Sequence, residues 1–520
     1  MVIDTILIYR PPDRKSALLL AGSARIDYHW VKEDSMNIRY RLALVVLAAP
    51  LLSGCFLFPN DPFVPSTIAS LGDSITMGIQ DAGLVADNQY HCYPYLVAMQ
   101  MGQARGFVQP LVGSPGIGVP PYETPLRLEA GFVKTDYLPE GITQEQLMQL
   151  IVPKLQNLFY PDPYNNLGVN GARLDDLNQA KGYANSYSGE NFFYDIVLRN
   201  LDPPWPNIGE GKNAVEQAVL LDPEYILLWI GNNDILGYVL SGGEKPDRIT
   251  DATTFENELR TVSKYLQDNT TAKIVLANIP EYLPFGYALD DVFDENDVPR
   301  LFDPRTLKKI NFGDGGSPEY KTLHVIDDPA DGAVEHILLT GAADYIEKGT
   351  GIDPGELDDV DKALLLSCGV HVPDKAEPLR NDLVFTHEEW KLTLDTIHQF
   401  NDIIATVAAD PDVDVPVVDV NRWMKPGGGP PLPNDSCLGF ALVSLVSQRN
   451  TIFSLDGIHP SNYGHALIAN EFIATMNAEF RLTIPSLNAA SYAGQYSGKA
   501  LVVPSLKALR RLEEMYAPSR

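Results

Sequence analysis

The chain has 520 residues, 45% hydrophobic and 21% charged, globular values at a length that suits about two to four ordinary domains or one elaborated one. Its net charge of −29 at pH 7 argues against a nucleic-acid ligand, because a phosphate backbone demands Lys and Arg, and otherwise describes a solvated acidic surface. Forty Pro and forty Gly imply many loops, yet no low-complexity tract or repeat of fixed period is present.

Taken in chain order, the first informative stretch is Met36-Asn37-Ile38-Arg39-Tyr40-Arg41, a short basic region. The 11 residues from Leu42 to Leu52 that follow are apolar, counting Pro50. That length is too short to span a bilayer comfortably and suits the hydrophobic core of a signal peptide. The run closes on Leu52-Ser53-Gly54-Cys55, which resembles a bacterial lipobox. The resemblance implies that residues 36–55 are a lipoprotein signal, that Cys55 is acylated, and that the chain is exported and held in the cell envelope by a lipid anchor. No acidic residue follows Cys55 directly, which by the same resemblance points to the outer membrane. Met36 then reads as the initiator, with residues 1–35 a mis-assigned or disordered extension and residues 56–65 a tether. In an exported protein two of Cys92, Cys368 and Cys437 can pair, in any of three ways, leaving one thiol. The four Cys and nine His contain no Cys-x-x-Cys or His-x-x-x-His spacing, so neither a metal nor a cofactor is expected.

The body begins at Ile68-Ala69-Ser70-Leu71-Gly72-Asp73-Ser74. A short apolar run ends in Gly-Asp-Ser and enters what reads as a first helical turn, which puts the Ser74 hydroxyl at the carboxyl end of a strand, where open α/β sheets bind ligands. A short helix is expected near residues 96–99. Residues 103–135, rich in Gly and Pro, read as loop with the makings of a binding surface. In Asn166-Leu167-Gly168-Val169-Asn170-Gly171-Ala172-Arg173, two Gly in four residues mark a tight strand-to-helix turn. Tyr225-Ile226-Leu227-Leu228-Trp229-Ile230 is apolar throughout, the pattern of a strand covered on both faces, and runs into Gly231-Asn232-Asn233-Asp234. A helix over 253–267 and a strand at Lys273-Ile274-Val275-Leu276-Ala277 repeat the alternation, so a doubly wound α/β sheet is expected.

Residues 281–385 break this rhythm and read as an insertion over one end of the sheet, a lid or a substrate-specific wall. Its acidic runs lack a calcium-loop spacing and read as solvated loops. Thr386-His387-Glu388-Glu389 is a capping-box pattern ahead of an amphipathic helix with Trp390, Leu394, Ile397, Phe400, Ile404 and Val407 on one face. His398 on that helix reads as a surface or packing residue. A last parallel strand is expected over 415–420. In Asp456-Gly457-Ile458-His459-Pro460 the spacing lets the carboxylate reach the imidazole Nδ1, which leaves Nε2 a usable base. Residues 481–520 form a tail with a short helix near 506–515.

These clusters supply a hydroxyl, an oriented His–Asp pair, a glycine N–H and an Asn carboxamide, the parts required for acyl transfer. Their order resembles that of the SGNH/GDSL hydrolases. Gly72-Asp73-Ser74 is similar to the first motif, Gly171 to the second, Gly231-Asn232-Asn233-Asp234 to the third and Asp456-Gly457-Ile458-His459-Pro460 to the last. The resemblance covers residues 66–480 apart from the insertion. It implies a three-layer α/β sandwich with a mostly parallel, flavodoxin-like sheet, and hydrolysis of carboxylic esters. Ser74 is then the nucleophile, His459 the base and Asp456 its orienter, with the Ser74 and Gly171 N–H groups and the Asn233 side chain as oxyanion hole. Asp73, the motif's own acid, has no catalytic role on this reading. There is no Gly-x-Ser-x-Gly elbow around Ser74.

Three departures from the family pattern stand out. Asn170 and Arg173 flank Gly171 where many members carry Ser and Thr, and Ile75 stands where Leu is usual. Arg173 is expected to alter the acyl or alcohol site. Membrane tethering and apolar loop residues point to a lipid or aryl ester as substrate, with no obligate protein partner evident. The alternatives are a carbohydrate O-acetyl esterase, or a surface-anchored binding lipoprotein that keeps the fold without turnover.

Overall fold

Two strands explain the architecture, because neither has a polar side to give to water. Ile68–Gly72 (β1) and Tyr225–Trp229 (β3) are buried at every residue, and strands of that kind require cover on both faces. The computed structural model describes residues 65–281 (with breaks at 121, 130–131, 135, 188 and 202–206), 384–422 and 452–493 (breaks at 455 and 457). It also describes 286–288, 336–338 and short pieces between 348 and 382. The signal segment with Cys55, the tether up to residue 64, Cys368, Cys437 and the helix expected near 506–515 lie outside the described residues.

The protein is α/β, with a five-stranded, wholly parallel central sheet. Its other strands are Asn166–Gly168 (β2), Lys273–Ala277 (β4) and Val417–Val418 (β5). The spatial order β2-β1-β3-β4-β5 is a doubly wound arrangement whose direction of winding reverses between β1 and β3, and ligands bind at such a reversal, outside the carboxyl ends of the strands. Ser74 follows β1, Gly171 follows β2, and Asn233 follows β3.

Side-chain alternation along each strand feeds two separate cores. On one face Ala69, Leu71, Ile226, Leu228, Ile274 and Leu276 are buried against two helices, Ala252–Asn269 (α5) and His387–Ala408 (α6). Phe255 of α5 stacks on Phe400 of α6 with ring centroids 4.1 Å apart. On the other face Ile68, Leu227, Trp229, Val275 and Val418 are buried with the helices Tyr93–Gln100 (α2) and Asn462–Phe480 (α7). Each large apolar side chain fully removed from water there contributes about 2 kcal/mol. The sheet with helices on both faces is compatible with a three-layer sandwich.

The expected caps and faces form. Thr386 caps α6 in a complete capping box with Glu389, and Ile397, Phe400, Ile404 and Val407 are buried. His398 is exposed and its Nε2 lies 3.2 Å from Glu281 Oε1. Residues 103–135 are less irregular than their composition suggests. Ile117–Gly118 pairs antiparallel with Gly83–Leu84, and Arg127–Glu129 with Phe132–Lys134. Within the insertion, Gly286–Ala288, His336–Leu338 and Val384–Phe385 form a three-stranded antiparallel sheet. Beyond residue 480 the chain stays attached to α7: the Ile484 N–H donates to Asn477 Oδ1 at 2.8 Å and the Leu487 N–H to Asn470 Oδ1 at 2.7 Å.

Candidate active site

Ser74 opens a one-turn helix, Ser74–Met77 (α1), directly after β1. Asp73 caps it, one carboxylate oxygen accepting from the Ile75 N–H at 2.9 Å. Gly78 ends it in the left-handed region at φ +90°. This turn lies tight against the sheet because residue 72 is glycine: a Cβ there would collide with Thr76 Oγ1 and the Trp229 carbonyl. Ser74 is 6% exposed. Among the described residues no hydrogen bond joins its hydroxyl to His459.

The second oxygen of Asp73 accepts from Asn232 Nδ2 at 2.8 Å, a contact that ties the end of β1 to the end of β3. Burial pushes the Asp73 carboxyl up, against the opposing pull of Asn232, the Ile75 N–H and the His459 charge. Asp73 is therefore a fastener beside Ser74, tying its helical turn to the end of β3.

Gly171 lies on the turn after β2 at φ +76°, a conformation that glycine adopts without strain. Asn233 is the first residue of the helix Asn233–Val239 (α4) after β3. Its Nδ2 donates to the Ala172 carbonyl at 2.8 Å, so the two turns expected to carry the oxyanion donors touch each other. Since an amide carries two N–H groups, one bond to Ala172 leaves the other available. Asp234 then reaches back, its Oδ2 accepting from the Leu174 N–H at 3.0 Å.

Asp456 and His459 sit on the turn before α7. His459 Nδ1 and Asp456 Oδ2 are 2.8 Å apart, with both side chains at least nine-tenths buried. Asp456 accepts four further hydrogen bonds: Ser454 Oγ (3.1 Å), Ile458 N–H (2.8 Å) and His459 N–H (2.9 Å) on Oδ1, and Ala82 N–H (2.6 Å) on Oδ2. Burial alone would raise this carboxyl, but the His459 charge, the ring bond and the backbone donors outweigh it and bring it down to about 2. Asp456 is thus an anion over the whole physiological range and holds Nδ1 as the protonated nitrogen. Ala82 and Asp81, whose N–H donates to Ser454 Oγ at 2.9 Å, lie just beyond α1 and draw this turn to the Ser74 side of the sheet.

The second histidine of this region is structural. His465 is wholly buried, accepts from the Tyr93 N–H at 3.3 Å, and burial brings its imidazole down to about 3. Cys92 is a free buried thiol pushed up to about 12 by burial, so among the three candidate cysteines it is not a disulfide partner.

Arg173, the residue expected to alter the acyl or alcohol site, does not face solvent. It is buried under the turn, ion-paired to Asp234 (Nε–Oδ1 3.6 Å), hydrogen-bonded through Nη2 to Thr250 Oγ1 and stacked on the Tyr187 ring at 3.6 Å. Asp73, Asn232, Asp234, Thr250, Ser454 and Ala82 all shape the site without having been singled out as site residues in the sequence. Asp73, Asn232 and Asp234 lie within the motifs the sequence offers, whereas Thr250, Ser454 and Ala82 carry no local signal.

Among the described residues no group of three or more His, Cys, Asp or Glu is arranged to hold a metal ion, and no helix is long and apolar enough to cross a membrane. No protein-family model and no curated protein matches the chain.

Proposed function

We propose that the chain is a serine esterase of the SGNH/GDSL type, with that family's version of the doubly wound fold. The observation that carries the reading is the buried 2.8 Å Asp456–His459 pair, hydrogen-bonded through Ala82 to the segment that follows Ser74. Ser74 Oγ attacks the ester carbonyl carbon while His459 Nε2 takes its proton. The carbonyl oxygen gathers negative charge opposite the Ser74 and Gly171 N–H groups and the spare Asn233 N–H. The intermediate collapses, His459 returns the proton to the leaving alcohol, and an acyl-Ser74 ester remains. Water, deprotonated by His459, then attacks that ester to release the carboxylic acid and restore Ser74.

An apolar acyl group is the favoured substrate portion. A small cleft lined by apolar residues (Ile117, Leu147, Ile151 and Phe192) and by the charged Glu123 and Lys154 is connected to the site through neighbouring backbone contacts. Phe192 follows Asn191, whose Nδ2 donates to the Asn170 carbonyl at 2.8 Å, next to Gly171. On the other side the Val119 N–H donates to the Ala82 carbonyl at 2.8 Å. The apolar part of that lining, taken with the lipobox-like ending at Cys55, favours a lipid or aryl ester over an acetylated sugar. The lipobox-like ending at Cys55 supports export and lipid anchoring in a bacterial envelope; palmitate-analogue labelling that survives Cys55→Ala would refute it.

The deciding experiment is hydrolysis of p-nitrophenyl esters across acyl lengths by wild type and Ser74→Ala. Turnover by the wild type and its loss by at least about three orders of magnitude in the variant are expected. Absence of turnover on every ester, or turnover unchanged by the substitution, sinks the esterase reading and leaves the non-catalytic binding lipoprotein.

A further inference from the structure

We infer that Arg173, Thr250 and Asp234 are positioning residues, a buried clamp that sets the distance between the two turns bearing the Gly171 and Asn233 oxyanion donors. The inference rests on the esterase reading for its catalytic consequence and on geometry for its existence. Arg173 belongs to the turn after β2, Asp234 to the turn after β3, and Thr250 to the segment just before α5. Arg173 Nη2 donates to Thr250 Oγ1. Thr250 Oγ1 donates in turn to Asp234 Oδ1 at 2.6 Å, and the Thr250 N–H donates to the Asp234 carbonyl at 2.9 Å. The other Asp234 oxygen accepts from the Leu174 N–H at 3.0 Å. The chain of bonds therefore leaves the Gly171 turn at one residue and returns to it at the next.

A second carboxylate steadies the arginine. Asp176 accepts from the Arg173 N–H at 3.0 Å and the Tyr187 N–H at 2.7 Å, which places the Tyr187 ring over the guanidinium. Arg173 and Asp234 are 6% and 1% exposed. Among the described residues Arg173 Nε and Nη1 have no hydrogen-bond partner, so the guanidinium is held through Nη2, the Asp234 ion pair and the Tyr187 ring, and losing the Nη2 link would leave a further buried polar group unpaired. Such rigidity matters at an oxyanion hole, whose donors act only if fixed where charge develops, and a displacement of about 1 Å can cost about two orders of magnitude. The sequence pattern suggested that Arg173 alters the acyl or alcohol site; on this inference it acts from the scaffold under the donors.

Thr250→Val tests the clamp, since it removes both side-chain links at nearly unchanged volume. With an ester substrate kcat is expected to fall about tenfold with KM within about twofold, and Thr250→Ser to restore it. Amide hydrogen exchange supplies a readout independent of turnover: residues 171–174 and 233–234 should exchange about tenfold faster while β3 is unchanged. Arg173→Lys, which keeps the charge but loses the planar fork, should give the same local pattern if the valine variant folds poorly. Wild-type kcat in Thr250→Val, no recovery in Thr250→Ser, or exchange that is unchanged or uniformly faster in every folded variant would overturn the clamp. If the wild type hydrolyses no ester, the catalytic reading fails while the exchange pattern still decides the clamp.

Discussion

The two halves of the site are held in place by different means. The half that holds Ser74, Gly171 and Asn233 grows out of β1, β2 and β3, so a wholly parallel sheet sets its spacing, and Asp73–Asn232, Asn233–Ala172 and Asp234–Leu174 lock adjacent strand ends together. The half that holds Asp456 and His459 is a turn outside the sheet, and one carboxylate organises much of it. Asp456 gathers its own turn's N–H groups and hydroxyl and at the same time captures Ala82, 374 residues earlier in the chain. A sheet-borne donor is backed by several independent bonds, so losing one displaces it a little. The histidine turn depends more heavily on one group: besides Asp456 it has the Asp81–Ser454 bond and its own backbone pairings of Ser454 with His459 and Ser461 with Ile452.

That contrast makes Asp456→Asn the most damaging of the conservative changes. It should lower kcat by about four orders of magnitude through the lost imidazole orientation. It should also lower stability at neutral pH by about 2 kcal/mol, the value of a carboxyl brought from the ordinary range near 4 to about 2. Because the group is depressed in the folded protein, this stabilisation is present above about pH 4 and disappears as the pH falls through about 2. Urea melts of wild type and variant should therefore converge at the acid end; a stability difference that persists below that window would show that the carboxylate is not the organiser.

Asn233→Ala probes the sheet-borne half. It should reduce kcat by about two to three orders of magnitude with little change in KM, while the folded structure, still tied by Asp73–Asn232 and the Asp234 contacts, keeps its melting temperature within a few degrees. A collapse of stability comparable to that of Asp456→Asn would erase the distinction between the halves. The smallest effect is expected from the cleft beside them. Leu147→Trp should leave p-nitrophenyl acetate hydrolysis within about twofold while lowering octanoate hydrolysis by about tenfold. Equal losses on both esters would place the acyl group elsewhere.

The amino-acid sequence by itself determined the strands, the capped helices and the local half of the chemistry. Tyr225–Trp229 could only be a doubly covered strand, Thr386 and Glu389 form their capping box within four residues, and Asp456 reaches His459 across three. Periodicity and short spacing are enough for such features because the interacting atoms are neighbours along the chain. Tertiary structure alone decided that Asp73 fastens Asn232, 159 residues away, that Arg173 is buried beneath the oxyanion turn, and that Asp81 and Ala82 receive the histidine turn. It also revealed small antiparallel pairings inside the loop-rich stretch 103–135. No local pattern encodes those partnerships: a buried polar group needs some partner, but which one it finds depends on how the strands are ordered in the sheet.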